Sequence, residues 1–107
     1  MSATVSIIIG SESDLGLANK CAEALDSLSI DYTIKVFSAH RTPDLLKEHL
    51  QETETEGTKI YIAIAGLAAH LAGAIASKTT KPVIGVPADN GPLGGIDSLL
   101  STVQMPK

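Results

Sequence analysis

The sequence predicts an α/β domain in which helices cover both faces of a parallel sheet, giving a three-layer sandwich. Apolar, β-branched runs of strand length alternate along the chain with longer segments whose apolar residues recur at helical spacing. Gly, Ser and charged residues collect in the turns that follow the apolar runs. Strands and helices that alternate in this way form right-handed βαβ units around a parallel sheet.

Four strands are predicted from the aliphatic and β-branched runs, over residues 4–9, 32–37, 59–65 and 83–86. Helices are predicted over residues 15–28, from Pro43 to a stop at Gly57, over residues 68–77, and briefly near residues 97–100. Ser13 or Asp14 is expected to cap the first helix and Thr42 the second, with Pro43 at the first helical position. The order of elements indicates flavodoxin/Rossmann-like βαβ units.

Composition restricts the class of protein. The 107 residues predict a single domain over residues 1–107, and two Tyr, one Phe and no Trp require an aliphatic core. A formal net charge of −4 disfavours a nucleic-acid-binding surface. Cys21 is the only cysteine, so no internal disulfide can form and a reducing, cytoplasmic location is expected. No signal peptide is recognisable, and no apolar stretch approaches the roughly 18 residues of a membrane span.

The strand-to-helix turns are the candidate ligand site, because open parallel sheets bind ligands beyond the carboxyl ends of their strands. These turns are GSESD (residues 10–14), SAHRT (38–42), GLAAH (66–70) and PADNGPLGG (87–95). GSESD has neither the Lys-Ser/Thr ending of a P-loop nor the G-x-G-x-x-G spacing. Its backbone N–H groups and the hydroxyls of Ser11 and Ser13 suit a single phosphate at a helix N-terminus. Helix capping alone is the alternative interpretation.

His40 and Arg41 follow the second strand. Arg41 can hold a phosphate through its planar donor fork, and His40 can transfer protons near neutral pH. A solvated Arg and a hydrogen-bonded loop His are the alternative. The pair lies at the ligand end of the sheet with the GSESD turn, and this position favours the functional interpretation.

The remaining reactive side chains give weaker signals. His70 begins the third helix, where packing against a neighbour is a common role. His49 and Cys21 lie on the apolar stripes of their helices, so both are predicted to be structural. No H-E-x-x-H or comparable spacing indicates a metal site, and no G-x-S-x-G nucleophile elbow is present.

Five segments in order resemble the carboxyaminoimidazole ribonucleotide mutase family of purine biosynthesis: GSESD, SAHRTP, AGLAAHLAG, KPVIGVP and DSLLSTVQMP. The resemblance extends over residues 7–106. The family's enzymes move a carboxylate from the exocyclic nitrogen to C4 of an aminoimidazole ribonucleotide. The resemblance implies that no metal, ATP or organic cofactor takes part. It also implies a homo-oligomer, an octamer, whose small-molecule partners are the ribonucleotide and carbon dioxide.

The same resemblance implies roles for individual residues. Ser11, Ser13 and Arg41 would contact the phosphate, and Asp14 a ribose hydroxyl. His40 would be the general acid and base. The rest of the substrate site would comprise Ser38 and the turn that holds the carbon dioxide and carboxylate end: Ala65, Gly66, Leu67, Ala68 and His70.

Some features leave alternatives open. Related carboxylases that use free carbon dioxide are similar, but they tend to carry Lys where this chain has Arg41. They also lack the Ala-Ala-His of residues 68–70, so the sequence favours the mutase. Leu67 stands where many bacterial members have Gly, Ala72 replaces a Pro, and the loop at 88–95 differs.

Family members usually continue past the VQMP motif with a strand and long helices that help to build the octamer. The chain is therefore expected to be a fragment or a short member, to associate, and to have weak activity or none. The alternatives to a mutase are a carbon-dioxide-dependent carboxylase and a ribonucleotide-binding module without turnover.

Overall fold

The computed structural model describes residues 3–67, 69–89 and 92–104. Within them, four strands form a parallel sheet in the order β2-β1-β3-β4. The strands are β1 (Val5–Ile9), β2 (Tyr32–Val36), β3 (Ile60–Ala65) and β4 (Val83–Pro87). The helices are α1 (Leu15–Ser27), α2 (Pro43–Glu56), α3 (Leu71–Ala76) and α4 (Ile96–Val103), with a 3₁₀ turn at Glu12–Asp14 before α1.

The order of elements confirms the predicted α/β fold, and the largest differences in bounds are in the third and fourth helices. The third helix was predicted over residues 68–77, but α3 begins at Leu71 and ends at Ala76, and residue 68 lies outside the described residues. The fourth helix is longer than the predicted residues 97–100, because α4 continues to Val103.

Two apolar clusters pack on opposite faces of the sheet and make the three layers. On one face, Val5, Ile7 and Ile9 of β1 pack with Ala18 and other residues of α1. On the other face, Ile8 of β1 packs with residues of α2 and α3, namely Leu46, Leu50, Leu71 and Ile75. Alternate residues of β1 pack in opposite clusters, because successive side chains of a strand point to opposite faces of the sheet. β1 is therefore buried along its whole length.

α4 packs closely against the edge strand β4. A Cβ atom at Gly85 would lie 2.9 Å from Cγ2 of Thr102 and 3.1 Å from Cβ of Ala72, so a larger residue would push α4 and α3 away. The Thr102 hydroxyl donates to the carbonyl of Ala69 at 3.3 Å. The buried Ser98 hydroxyl donates to the carbonyl of Ala88 at 2.6 Å. α4 thus anchors the turns that follow β3 and β4.

Apolar side chains remain exposed on β4 and α4. Ile84 of β4 is 51% exposed, and Leu99, Leu100 and Val103 of α4 are each at least 44% exposed. Among the described residues, no helix is both long and apolar enough to cross a membrane.

The turn after β2 is closed by hydrogen bonds between Ser38 and Thr42. The Thr42 hydroxyl accepts from the Ser38 N–H at 3.0 Å and donates to the Ser38 carbonyl at 3.2 Å. The Thr42 N–H also donates to that carbonyl, and the Arg41 N–H donates to the Ser38 hydroxyl at 3.0 Å. Thr42 occupies the N-cap position of α2 as predicted, but its side chain makes no cap hydrogen bond, because the hydroxyl is bonded to Ser38.

The predicted capping of α1 differs from the structure in the same detail. Asp14 occupies the N-cap position, but its side chain makes no cap hydrogen bond to α1. The Ser11 hydroxyl instead caps the preceding 3₁₀ turn by accepting from the Ser13 N–H. Pro43 begins α2 and Gly57 ends it in a left-handed conformation, as predicted.

His49 of α2 contacts Ser6 of β1 and Phe37, which follows β2. Its Nε2 lies 3.0 Å from the hydroxyl of Ser6, a β1 residue that is 1% exposed, and its ring lies 4.9 Å from the ring of Phe37. Burial lowers the pKa of His49, and the nearby charge of Lys35 lowers it further, against smaller opposite effects from Glu52 and Glu56. His49 is therefore a half-buried polar residue that links α2 to β1.

The Ser38–Thr42 bonds can be tested with Thr42→Val, which keeps the side-chain shape and removes the hydroxyl. The part-buried Ser38 N–H loses its acceptor, so the free energy of unfolding should fall by about 1–2 kcal/mol in urea titrations. Thr55→Val is the matched control, because the Thr55 hydroxyl donates only to the Gln51 carbonyl on an exposed part of α2. Equal effects of the two substitutions would contradict a special role for Thr42.

The half-buried position of His49 and its lowered pKa predict that the stability depends on pH. Below about pH 6.5 the unfolded chain gains a proton on this imidazole that the folded chain resists. The free energy of unfolding should therefore fall as the pH drops from 7.5 towards 5, and less so in His49→Phe. Both proteins share all other titrating groups, so the difference between their urea midpoints isolates His49. Identical pH slopes would contradict the prediction.

Candidate active site

Three strand-to-helix turns surround a cleft of about 370 Å³ at the carboxyl edge of the sheet. This volume lies within the usual range for small-molecule sites. The turns follow β1, β2 and β3, which are neighbours in the sheet. The lining residues are Gly10, Ser11, Ser13, Asp14, Ser38, Ala39, His40, Ala65, Gly66, Leu67, His70 and Leu71.

The turn after β1 supplies hydroxyl groups and a buried carboxyl. The Ser11 and Ser13 hydroxyl oxygens lie 2.5 Å apart, and the 3₁₀ turn leads directly into α1. Asp14 is 4% exposed, so its carboxyl lies in the wall of the cleft. Hydroxyls together with a helix N-terminus can bind an anion, and a carboxylate can accept hydrogen bonds from sugar hydroxyls.

The turn after β2 presents His40. Its backbone is held by the Ser38–Thr42 hydrogen bonds, while the His40 side chain is exposed at the cleft. Ser38 therefore shapes the turn as well as lining the cleft. The role of Ser38 in closing the turn escaped the sequence reasoning, because it depends on a side-chain bond between residues four apart.

The turn after β3 brings Ala65, Gly66, Leu67 and His70 to the opposite side of the cleft. The ring of His70 stacks on that of His40, with centroids 6.1 Å apart and ring planes 11° apart. Two imidazoles from different turns therefore face the same space. The predicted site residue Ala68 lies outside the described residues.

Arg41 occupies a different place from the other predicted site residues. Its side chain is exposed and does not line the cleft, although its backbone N–H is bonded within the same turn. Among the described lining residues there is no Lys or Arg side chain. An anion in the cleft would therefore gain a cationic partner if the Arg41 side chain turned inward, which a long exposed side chain can do.

Three residues of the cleft were not predicted individually: Gly10 and Ala39 lie in turns that the sequence indicated, and Leu71 follows the GLAAH turn. Each lies beside a predicted site residue, so the strand-to-helix position was the signal that could have found it. None of the three has a reactive side chain, and each contributes shape.

The arrangement suits acid–base chemistry on a small anionic ligand. It combines hydroxyl groups, a helix N-terminus and two imidazoles in one cleft. Within the described ranges, no group of three or more His, Cys, Asp or Glu side chains is placed to hold a metal ion.

Comparisons with known proteins give the family. The family model for AIR carboxylase matches residues 4–107. An N5-carboxyaminoimidazole ribonucleotide mutase from Pseudomonas aeruginosa is 54% identical over 106 residues, which are 99% of this chain and 65% of that protein. A mutase of the same name from Methanocaldococcus jannaschii is 51% identical over 102 residues, which are 95% of this chain and 62% of that protein.

Comparison with a solved structure agrees with this family. The crystal structure of PurE from Treponema denticola superposes with a TM-score of 0.85 at 34% sequence identity, over 96% of this chain and 65% of that one. The chain thus spans slightly less than two thirds of the length of these relatives. The match to the family model runs almost from one end of the chain to the other, and the chain belongs to the AIR carboxylase family.

Proposed function

We propose that this chain carries the ribonucleotide site of an N5-carboxyaminoimidazole ribonucleotide mutase of purine biosynthesis. The observation that supports this proposal best is the single cleft shared by the hydroxyl-rich turn and the His40–His70 pair. The name of the relatives that are about half identical to this chain agrees with it. The substrate would be the N-carboxylated aminoimidazole ribonucleotide, and the product its 4-carboxy isomer.

In the proposed complex the phosphate lies at the turn after β1. The Ser11 and Ser13 hydroxyls and the N-terminal end of α1 bind it, and Arg41 turns inward to pair with it. Asp14 accepts a hydrogen bond from a ribose hydroxyl. Ser38 lies beside the ribonucleotide and keeps the turn after β2 in shape.

The imidazole end of the ribonucleotide then lies between the turns after β2 and β3. His40 is the group that touches the reacting atoms. Ala65, Gly66, Leu67, Ala68 and His70 enclose the carboxylate and carbon dioxide. Holding the two fragments together replaces a bimolecular capture by a local one, which is a large advantage for a dilute, weakly binding gas.

The proposed reaction has two steps. The carbamate N–C bond breaks, its electron pair stays on the exocyclic nitrogen, and protonated His40 gives that nitrogen a proton as carbon dioxide forms. C4 of the ring then attacks the carbon dioxide to form the new C–C bond. Neutral His40 takes the C4 proton and the ring regains its aromaticity. Protons balance over the cycle, so one imidazole serves as both acid and base.

The proposal predicts that His40→Asn binds the ribonucleotide but loses about 10²- to 10⁴-fold in turnover, the usual contribution of general acid–base catalysis. Turnover is measured from the carbamate substrate, in parallel with aminoimidazole ribonucleotide plus carbon dioxide. Turnover of the second mixture alone would favour the carboxylase. An unchanged rate in His40→Asn would contradict the mechanism, and binding without turnover in the unmodified chain would favour a binding module.

The partners of the chain are proposed on separate grounds. A cytoplasmic location remains a prediction from the single cysteine. The exposed apolar residues of β4 and α4 favour association with other copies of the chain. Exposed apolar patches of several side chains commonly mark protein interfaces.

Sedimentation velocity at several concentrations should therefore show species larger than the monomer. Ile84→Thr combined with Leu100→Gln should shift the distribution towards the monomer, because both changes remove apolar surface that is already exposed. Glu23→Gln is a control on the exposed part of α1. A concentration-independent monomer for the unmodified chain would contradict association.

A further inference from the structure

Phe37 lies at the entrance to the turn that carries His40. Its N–H donates to the carbonyl of Ile9 at 3.0 Å, so its backbone still belongs to the sheet. Its half-buried side chain packs against the apolar cluster that contains residues of α2 and α3, and so does the side chain of Ala39. The backbone that leads to His40 is therefore attached to the core on both sides of Ser38.

The hydrogen bonds that Ser38 makes with Arg41 and Thr42 fix the shape of this turn but not its position. All of them join residues of the same turn. The position of the turn depends on what holds its two ends, which are Phe37 at the entrance and α2 at the exit. A contact between these two ends would therefore keep His40 in one place.

His49 makes this contact. It lies on α2, and its ring centroid is 4.9 Å from that of Phe37, with the ring planes 39° apart. Its Nε2 lies 3.0 Å from the hydroxyl of Ser6 in β1, a strand that has a hydrogen-bonded neighbour on each side. His49 thus closes the turn across its base, from the helix that follows the turn to the residue that precedes it.

Packing alone does not require a histidine at this position. A leucine or phenylalanine would also contact Phe37, without burying part of a polar ring. The imidazole adds a directional hydrogen bond to Ser6, which fixes the orientation of the ring. It also adds a group that titrates near neutral pH.

The surroundings of His49 keep its ring neutral at pH 7.5. Burial is the largest effect and lowers the pKa of His49, and the charge of Lys35 in β2 lowers it further. Glu52 and Glu56, on α2 itself, act in the opposite direction. The five residues of β1 (VSIII) include no titratable side chain. The ring therefore gains a proton only below about pH 6.5, the ordinary value for histidine.

We infer that His49 is a positioning residue, which holds the turn that carries His40 where this imidazole reaches the substrate. The inference rests on the proposed function. A neutral Nε2 can accept a hydrogen bond from the Ser6 hydroxyl, whereas a protonated one cannot, and a charged ring is less favourable beside the apolar cluster. Protonation of His49 should therefore loosen its contact with Phe37 and displace the turn. Turnover then falls in acid with the titration of His49, in addition to any effect of the titration of His40.

A pH titration followed by NMR tests the inference without substrate. Between pH 7.5 and 5, the amide signals of Ser38, Ala39 and Thr42 should shift in step with the ring signal of His49. This step should be absent in His49→Phe. The same titrations in a His40→Asn background remove the contribution of the nearest imidazole to these amide signals.

Turnover of the carbamate substrate tests the consequence for catalysis. His49→Ala removes the ring and should lower kcat roughly 10- to 100-fold at pH 7.5, because a displacement of about 1 Å at the reacting groups can cost 10²-fold. KM should change little, since the turn after β1 is untouched. His49→Phe keeps an aromatic ring next to Phe37, so it should retain more of kcat and lose the part of the acid-side decline that follows His49.

Thr53→Val is the matched control for these variants. The Thr53 hydroxyl lies one helical turn further along α2 and is 2.7 Å from the buried hydroxyl of Tyr61. Its removal should lower the melting temperature but leave kcat and the pH profile unchanged. A loss of stability is thereby separated from a displaced turn.

Each outcome decides a specific statement. If the amide signals of the turn do not follow the ring signal of His49, or still show that step in His49→Phe, the inference is wrong while the proposed function stands. An equal loss of kcat in His49→Ala and Thr53→Val would also overturn it, because lower stability would then explain both. If the unmodified chain has no turnover, the proposed catalysis fails. Its amide titration then decides by itself whether His49 positions the turn, as it does if a variant fails to fold.

Discussion

The parallel pairing of β1 with both of its neighbours positions the turns that form the cleft. Val5 is level with Tyr32 of β2 and with Ile60 of β3, so Ile9 is level with Val36 and with Ile64. The three strands therefore end within one residue of the same height, and their following turns leave from one edge. A shift of one residue would move Ser6 away from His49 and into the opposite apolar cluster, which makes the register costly to change.

The cleft is built on backbone that continues this pairing just past the strand ends. The Gly10 N–H donates to the carbonyl of Ile64, and the Phe37 N–H to that of Ile9, both at 3.0 Å. The start of each turn is thereby fixed to the neighbouring strand. The exposed side chains of His40 and Leu67 extend from turns that begin at this hydrogen-bonded backbone. Side chains carried by rigid elements are held more precisely than those on loose loops.

The lining of the cleft, like the whole chain, has no excess of positive side chains. The chain has a net charge of −4, and the described lining contains the carboxyl of Asp14 but no Lys or Arg side chain. An anionic ligand would therefore depend on oriented donors, namely the Ser11 and Ser13 hydroxyls and backbone N–H groups. Such donors bind an anion locally without making the protein attractive to polyanions in general.

The fold class, the order of the elements and the turns that form the cleft could all be predicted from the sequence. These features follow from local patterns: β-branched runs, helical spacing, Pro43 at a helix start and Gly57 at a helix end. The motifs quoted from GSESD to DSLLSTVQMP also identified the family, which the family model later confirmed. Most of the predicted site residues belong to these motifs, and most of them line one cleft.

The arrangement of side chains from different turns could not be predicted, because it arises from tertiary contacts. The stacking of His40 on His70 and the bond between His49 and Ser6 both depend on residues brought together by folding. So does the absence of the Arg41 side chain from the cleft lining. Thr42 was predicted to cap a helix from its local sequence, but a competing bond to Ser38 was available. The left-handed backbone of Leu67 could not be read from a leucine, because it is imposed by hydrogen bonds from the residues around β4 and α4.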